Sequence, residues 1–301
     1  MNHPSIRTLI VTILLQAASF GQGSLTPPLG PPEPSMKSMS EIYGAIAGVK
    51  DDERTPIHAL PYAISQPGSY YLAGSLSVSS GAGIAISTSN VTLDLNGFTI
   101  SSTLSGIAGS GYAIFISANV SDVRIRNGNI ESGTTVSGGV FAPNGFLGGI
   151  GSPSSANQSI HVSDLRIKGI GGSGILIDSA SFSIVENCFV SVCDGPGIKA
   201  HTVNNSFATG CRNTAINAYI VSNSRGQSIG TSAGSNGISA AIVSNCFATS
   251  LAGTGISSGG TVSNCRATRD GGVAIQAGIA IGCTVYGSGT VISSQKHLGT
   301  P

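Results

Sequence analysis

Along most of the chain, apolar and polar residues alternate in short runs broken by Asn, Gly and Ser, which is the pattern of brief strands between tight turns. The runs are near copies of one another. Val243-Ser-Asn-Cys-Phe-Ala248 has relatives in Val262-Ser-Asn-Cys-Arg-Ala267, Val221-Ser-Asn-Ser-Arg-Gly226, Val203-Asn-Asn-Ser-Phe-Ala208, Val185-Glu-Asn-Cys-Phe-Val190 and, more weakly, Val162-Ser-Asp-Leu-Arg-Ile167. With the Asn or its substitute as marker (Asn127, Asp164, Asn187, Asn205, Asn223, Asn245, Asn264, Gly282), the intervals are 37, 23, 18, 18, 22, 19 and 18 residues. A period near twenty that absorbs insertions predicts a solenoid, in which each repeat stacks on the next.

A second marker fixes the register. An Ile preceded by Gly or Ala lies 11 residues after Asp164, Asn187, Asn205, Asn245 and Asn264, at Ile175, Ile198, Ile216, Ile256 and Ile275. After Asn223 the distance grows to 15, with the extra residues in the Gly/Ser run Gln227 to Gly237. Strand alternation then sorts the columns. Two before the marker stand Ile125, Val162, Val185, Val203, Val221, Val243, Val262 and Ala280; one after it stand Leu165, Cys188, Ser206, Ser224, Cys246, Cys265 and Cys283. Both should point inward, as should the column three after it: Ile130, Ile167, Val190, Ala208, Gly226, Ala248, Ala267 and Val285. Between those last two columns, Arg166, Phe189, Phe207, Arg225, Phe247 and Arg266 should point outward.

The repeated Asn-Cys/Ser corner, the Gly-Ile strand starts and Asn90-Val-Thr-Leu-Asp-Leu-Asn-Gly-Phe98 resemble the right-handed parallel β-helix of the pectin-lyase-like type, over about Ile64 to Ile292. The resemblance implies an all-β solenoid with an Asn ladder at one bend, its side-chain amides bonding along the stack. Left-handed β-helices have a similar repeat length but keep strict hexads. The inward set Ile198, Ala200, Val203, Ser206, Ala208, Cys211 steps by 2, 3, 3, 2 and 3, so the right-handed form is expected.

In chain order, residues 1–21 read as a secretory signal peptide, with Arg7, an apolar run from Leu9 to Leu15 and small residues Ala17 to Ser19. That run is far short of the roughly 20 residues needed to span a bilayer, so no transmembrane segment is expected in the mature chain. Residues 22–58 form a Pro-rich linker and then a short helix opened by the capping box Ser38-Met-Ser-Glu41, expected to cap an open end of the solenoid. Residues 59–292 are the β-helix and 293–301 a polar tail. Ser132 to Asn157 breaks the period, as either a lateral loop over one face or a degenerate coil.

Composition narrows the functional classes. Charged residues make up only 9% and the net charge is +1, which gives no case for nucleic acid or an anionic membrane as partner. Six Cys in a secreted chain invite disulfides, but in-register stacking points their Cβ atoms in parallel, a poor geometry for bridges. Buried thiols acting as small apolar fillers are the expectation, and no CxxC or Cys/His cluster supports zinc.

β-Helix lyases cluster acids around Ca²⁺ beside an Arg or Lys base, and hydrolases pair carboxylates with a His. Here the acids are scattered, and Arg166-Ile-Lys168 echoes a hydrolase motif whose other parts are absent. The best catalytic constellation is Asp178, His201 and Tyr219 with Lys199, expected outward on consecutive coils. The alternative is a solvated polar face. The row Phe189, Phe207, Arg225, Phe247 and Arg266 is the candidate binding site for sugar rings or a partner, unless a loop such as Ser132 to Asn157 covers it. Three readings remain: a secreted, periplasmic or cell-surface module, non-catalytic and cofactor-free, that binds polysaccharide or cell-surface components; a polysaccharide lyase or glycoside hydrolase acting on uronic-acid polymers, with Ca²⁺ if a lyase; and a phage- or host-directed adhesin.

Overall fold

The computed structural model describes residues 38–47, 53–106, 111–152, 158–177, 182–269 and 272–293. The expected signal peptide, most of the linker and the tail beyond 293 lie outside them. The chain divides into two units, 1–51 and 52–301. In the first, Met39–Ala47 is a helix whose start is the expected capping box: the Ser38 N–H donates to Glu41 Oε2 at 2.7 Å and the Glu41 N–H donates to Ser38 Oγ at 3.2 Å.

The second unit is a parallel β-helix. Among the described residues, 28 of its strands join one network, and every pairing in it is parallel. Each coil contributes to three ladders. An entry ladder runs into the Asn corner (Ile184–Glu186, Thr202–Asn204, Thr261–Ser263), an exit ladder leaves it (Phe189–Cys193, Phe207–Cys211, Arg266–Thr268), and a return ladder follows the Gly-Ile marker (Ser173–Ile177, Ile198–Lys199, Val273–Ala277). The predicted columns are the observed registers: Val185 pairs with Val203, Val203 with Val221, Val221 with Val243, and Ile175 with Ile198. The entry ladder begins earlier than the expected boundary at 59, because Thr55–Ile57 pairs with Tyr70–Leu72.

The corner explains the marker. Asn127, Asp164, Asn187, Asn205, Asn223, Asn245, Asn264 and Gly282 all have φ between 45° and 60°, the left-handed region that Asn, Asp and Gly enter at least cost. The amide ladder is present: Asn187 Nδ2 donates to Asp164 Oδ1 at 3.2 Å, Asn205 to Asn187 at 2.7 Å and Asn245 to Asn223 at 3.4 Å. Between Asn205 and Asn223 it is interrupted, Asn223 bonding instead to Asn204 Oδ1. At its head, Asn127 donates to Asp94, a buried carboxylate also held by Arg126 at 3.2 Å.

The Cys/Ser column corrects the reading of these thiols as apolar filler. All six Cys are buried and unbridged, but in this column Ser and Cys do the same polar work. Ser206 Oγ donates to Asn204 O at 2.8 Å, closing the corner, and accepts the Cys188 N–H of the preceding coil at 3.1 Å. Ser224 repeats both bonds, to Ser222 O and from the Ser206 N–H. Cys265 does so with sulfur, contacting Ser263 O at 3.1 Å and accepting the Cys246 N–H at 3.4 Å. A buried N–H therefore finds its acceptor one coil on, which any small side chain with a polar terminal atom can supply.

The Gly before Ile has a steric cause. A Cβ on Gly174 would meet Gly197 O at 2.6 Å, and one on Gly197 would meet Ala215 O at 2.5 Å, so neighbouring coils leave little room at this bend. The long interval between Asn127 and Asp164 holds both of the features set as alternatives. Thr135–Ser137 and Val140–Ala142 form an antiparallel hairpin off the stack, and Gly148–Ser152 is a regular return strand between Tyr112–Ile116 and Ser173–Ile177. The hairpin region seats Phe146 in the core and places Phe141 against Arg212, 5.0 Å from guanidinium to ring.

Candidate functional site

The exit ladder carries the outward row in register: Arg166 pairs with Phe189, Phe189 with Phe207, Phe207 with Arg225, Arg225 with Phe247 and Phe247 with Arg266. Successive side chains stand one coil apart, about 4.8 Å in a parallel ladder. Guanidinium and ring alternate in contact. Arg166 lies 5.1 Å from the Phe189 ring, Phe189 is 6.5 Å from Phe207, and Arg225 lies 4.8 Å from Phe247. Arg266 sits 4.5 Å over Tyr286, which extends the row diagonally and was not singled out in the sequence. The three Arg–ring pairs are cation–π contacts that hold the guanidinium side chains down along the ladder.

The covering loop expected as one alternative does not shield this row among the described residues. Phe207 keeps 44% of its surface, Arg225 and Arg266 are exposed, and Phe189 and Phe247 are half-buried. Two shallow clefts open along the row. One of about 450 Å³ lies between Phe207, Arg225, Phe247 and the corner amides of Asn223, Asn245 and Asn264; one of about 210 Å³ lies between Phe189, Phe207 and Thr209. The exposed Asn ladder thus runs beside the rings, and the strip combines apolar faces, fixed cations and amides.

Of the expected catalytic set, His201 and Tyr219 stand on consecutive coils and Lys199 keeps its expected column. Asp178 lies outside the described residues. Lys199 is half-buried on its return strand, in register with Leu176 and Asn217. His201 stands at the bend between return and entry ladders, its ring stacked on Tyr219 at 5.3 Å and 25° and meeting Phe182 at 5.6 Å. His201 O also accepts the N–H groups of Tyr219 and Ile220. This column of rings packs the imidazole between neighbours, one coil to the next.

A further polar groove of about 570 Å³ was not read from the sequence. It lies on the entry ladder, where Thr92, Arg124, His161 and Ile184 form an outward column. His161 Nε2 is 2.7 Å from Glu186 Oε1. The two are diagonal neighbours, since His161 pairs with Ile184 and Glu186 with Ser163, so a search for acids stacked within one column passes over them. Among the described residues no three His, Cys, Asp or Glu side chains group as a metal site, and no helix is long and apolar enough to cross a membrane.

No protein-family model and no curated protein matches the chain. Among solved structures it is similar to the A-module of the Azotobacter vinelandii mannuronan C-5 epimerase AlgE6, at 13% identity over 78% of this chain and 71% of that one, with a TM-score of 0.35. It is also similar to the Dettilon tailspike protein, at 14% identity over 79% of this chain and a TM-score of 0.36, spanning 60% of the tailspike's length. Both likenesses lie in the fold.

Proposed function

We propose that this chain is a non-catalytic β-helix module, secreted or displayed on a cell surface, that binds a polysaccharide along the exit ladder. The observation that carries the reading is the open row of Phe and Arg beside an exposed ladder of Asn amides. Ring faces pack against the apolar faces of sugars, amides exchange hydrogen bonds with hydroxyls, and a guanidinium takes any carboxylate in a planar, two-pronged contact. The repeat of one coil suits a ligand that is itself a repeating polymer, since each added unit meets the same surface. The tailspike and epimerase likenesses are compatible with a polysaccharide partner but carry none of this argument.

The test is a glycan array followed by titration of the strongest ligand with the purified chain. Removing both rings in Phe189→Ala with Phe207→Ala should weaken binding about tenfold or more, two aromatic contacts at about 0.5–1.5 kcal/mol each, with the melting temperature little changed. Undiminished binding together with a lowered melting temperature would show that the rings serve packing and would refute the reading.

A further inference from the structure

The groove on the entry ladder is a built cleft of a different kind from the open exit row. Its walls come from four consecutive coils at the bend where return strands become entry strands. Asn90 and Thr92 belong to the first, Asp122 and Arg124 to the second, Ser159 and His161 to the third, and Phe182 and Ile184 to the fourth. Three coil steps give a length of about 14 Å, and the volume of about 570 Å³ lies within the range of small-ligand sites.

Its chemistry is uneven along that length. Arg124 is exposed in the middle of the groove and makes no ion pair or hydrogen bond among the described residues, so its guanidinium is available. His161 is held by Glu186 and is thereby oriented. Asn90, Thr92 and Ser159 add an amide and two hydroxyls. Phe182 closes the fourth coil: 69% of its surface is exposed and its φ is 45°, in the left-handed region that a bulky side chain rarely enters. The ring rests on His201 of the following coil and lines the groove formed by the coils before it. A strained, exposed aromatic at the end of a polar cleft is a costly arrangement for packing alone, and such outliers concentrate where a ligand is held.

We infer that this groove is a second ligand site, separate from the exit row, that takes a short saccharide bearing an oxyanion, with the anionic group on Arg124 and an apolar sugar face against Phe182. A carboxylate and a sulfate present the same paired oxygens to a guanidinium. The short cleft, closed at Phe182, fits the end of a chain or a free fragment, in contrast to the unbounded exit row.

Calorimetric titration of the full chain with a uronic-acid disaccharide, a sulfated disaccharide and a neutral disaccharide tests this and separates the two anion sources. At least one anionic sugar should bind about tenfold or more tighter than the neutral one, the scale of a charge-assisted contact. Arg124→Gln should remove that preference, Phe182→Ala should weaken binding of every sugar that binds, and Lys168→Gln, at an exposed cation in neither site, should change nothing. Arg124 is exposed, so Arg124→Gln should melt with the parent. Failure of both anionic sugars to bind, equal binding of neutral and anionic sugars, or an anion preference that survives Arg124→Gln would overturn the inference. Each of these results leaves polymer binding on the exit row to be decided by its own variants.

Discussion

Replacing Asn205 tests the corner that sets the register of the whole solenoid. Its φ is 45°, its side chain donates to Asn187 Oδ1 at 2.7 Å, and it lies on the surface. An L-residue with a Cβ and no local polar compensation loses about 1–2 kcal/mol in the left-handed region, and an exposed amide hydrogen bond contributes about 0.5 kcal/mol. Asn205→Ala should therefore destabilise by about 2 kcal/mol. Asn205→Gly loses the amide bond but not the conformation, at a cost of about 0.5–1 kcal/mol including chain entropy. The Ala-to-Gly gap, about 1 kcal/mol, isolates the backbone from the ladder. Urea unfolding followed by far-ultraviolet circular dichroism reads it as a midpoint difference of roughly 0.3 M or more. Equal midpoints for the two variants, or a higher one for Ala, would mean that the corner is not left-handed, and the column assignment would lose its basis.

Two further predictions concern the Cys/Ser column. Ser206→Ala leaves the buried Cys188 N–H without its acceptor and should cost about 1–3 kcal/mol, whereas Ser206→Cys, which restores a polar terminal atom, should recover most of it in the same unfolding assay; an Ala variant as stable as the parent would reduce the column to packing. Burial pushes the Cys188 thiol up from 9.0 to about 12, against smaller opposing backbone hydrogen bonds. Native chains should thus react with a thiol reagent at neutral pH far more slowly than urea-unfolded chains. The unfolded state gives up this proton first, so between pH 9.0 and about 12 it holds fewer protons than the native state and stability should fall. The contribution is fully present below pH 9.0. Cys265 and Cys283, also raised, act in the same direction, and Cys246, lowered by its bond with Cys265, opposes them. Stability that rises over this window would contradict the assigned burial.

What could be read from the sequence divides along the line between constraint and freedom. Inward columns and corners leave a residue signature because every coil meets the same requirement. A left-handed corner admits Asn, Asp or Gly, the bend before Ile takes nothing larger than Gly or Ala in most coils, and the interior needs Val and Ile at fixed parity. Those demands recur with the period, so a single sequence contains many copies of the same statement. Outward positions answer to no such demand. Arg166, Phe189 and Arg225 were legible as a row only because the exit ladder keeps its register without insertions through them, and Tyr286 was missed because it continues the row on the diagonal. The Ser/Cys interchange was visible in the sequence, and its polar meaning was available there: two residues that share six positions of a buried column also share size and a terminal hydrogen-bonding atom, a pairing that apolar filling does not select.

The groove shows the other way in which outward information escapes. Arg124 and His161 are separated by the 37-residue interval that contains the hairpin, and Glu186 reaches His161 across the ladder rather than along it. Arg124 and His161 each stand three before a marker, so their column follows from the register, but the diagonal contact with Glu186 appears only in the fold. This has a physical consequence for where function sits in such a solenoid. The regular stretch from about Val185 onward presents a repeated surface suited to a repeated ligand. The irregular stretch before it, where coil lengths change and a left-handed Phe182 is tolerated, is where unlike side chains can be gathered into a bounded cleft. Regularity and specificity are therefore placed in different halves of the stack, because a column that repeats cannot also close.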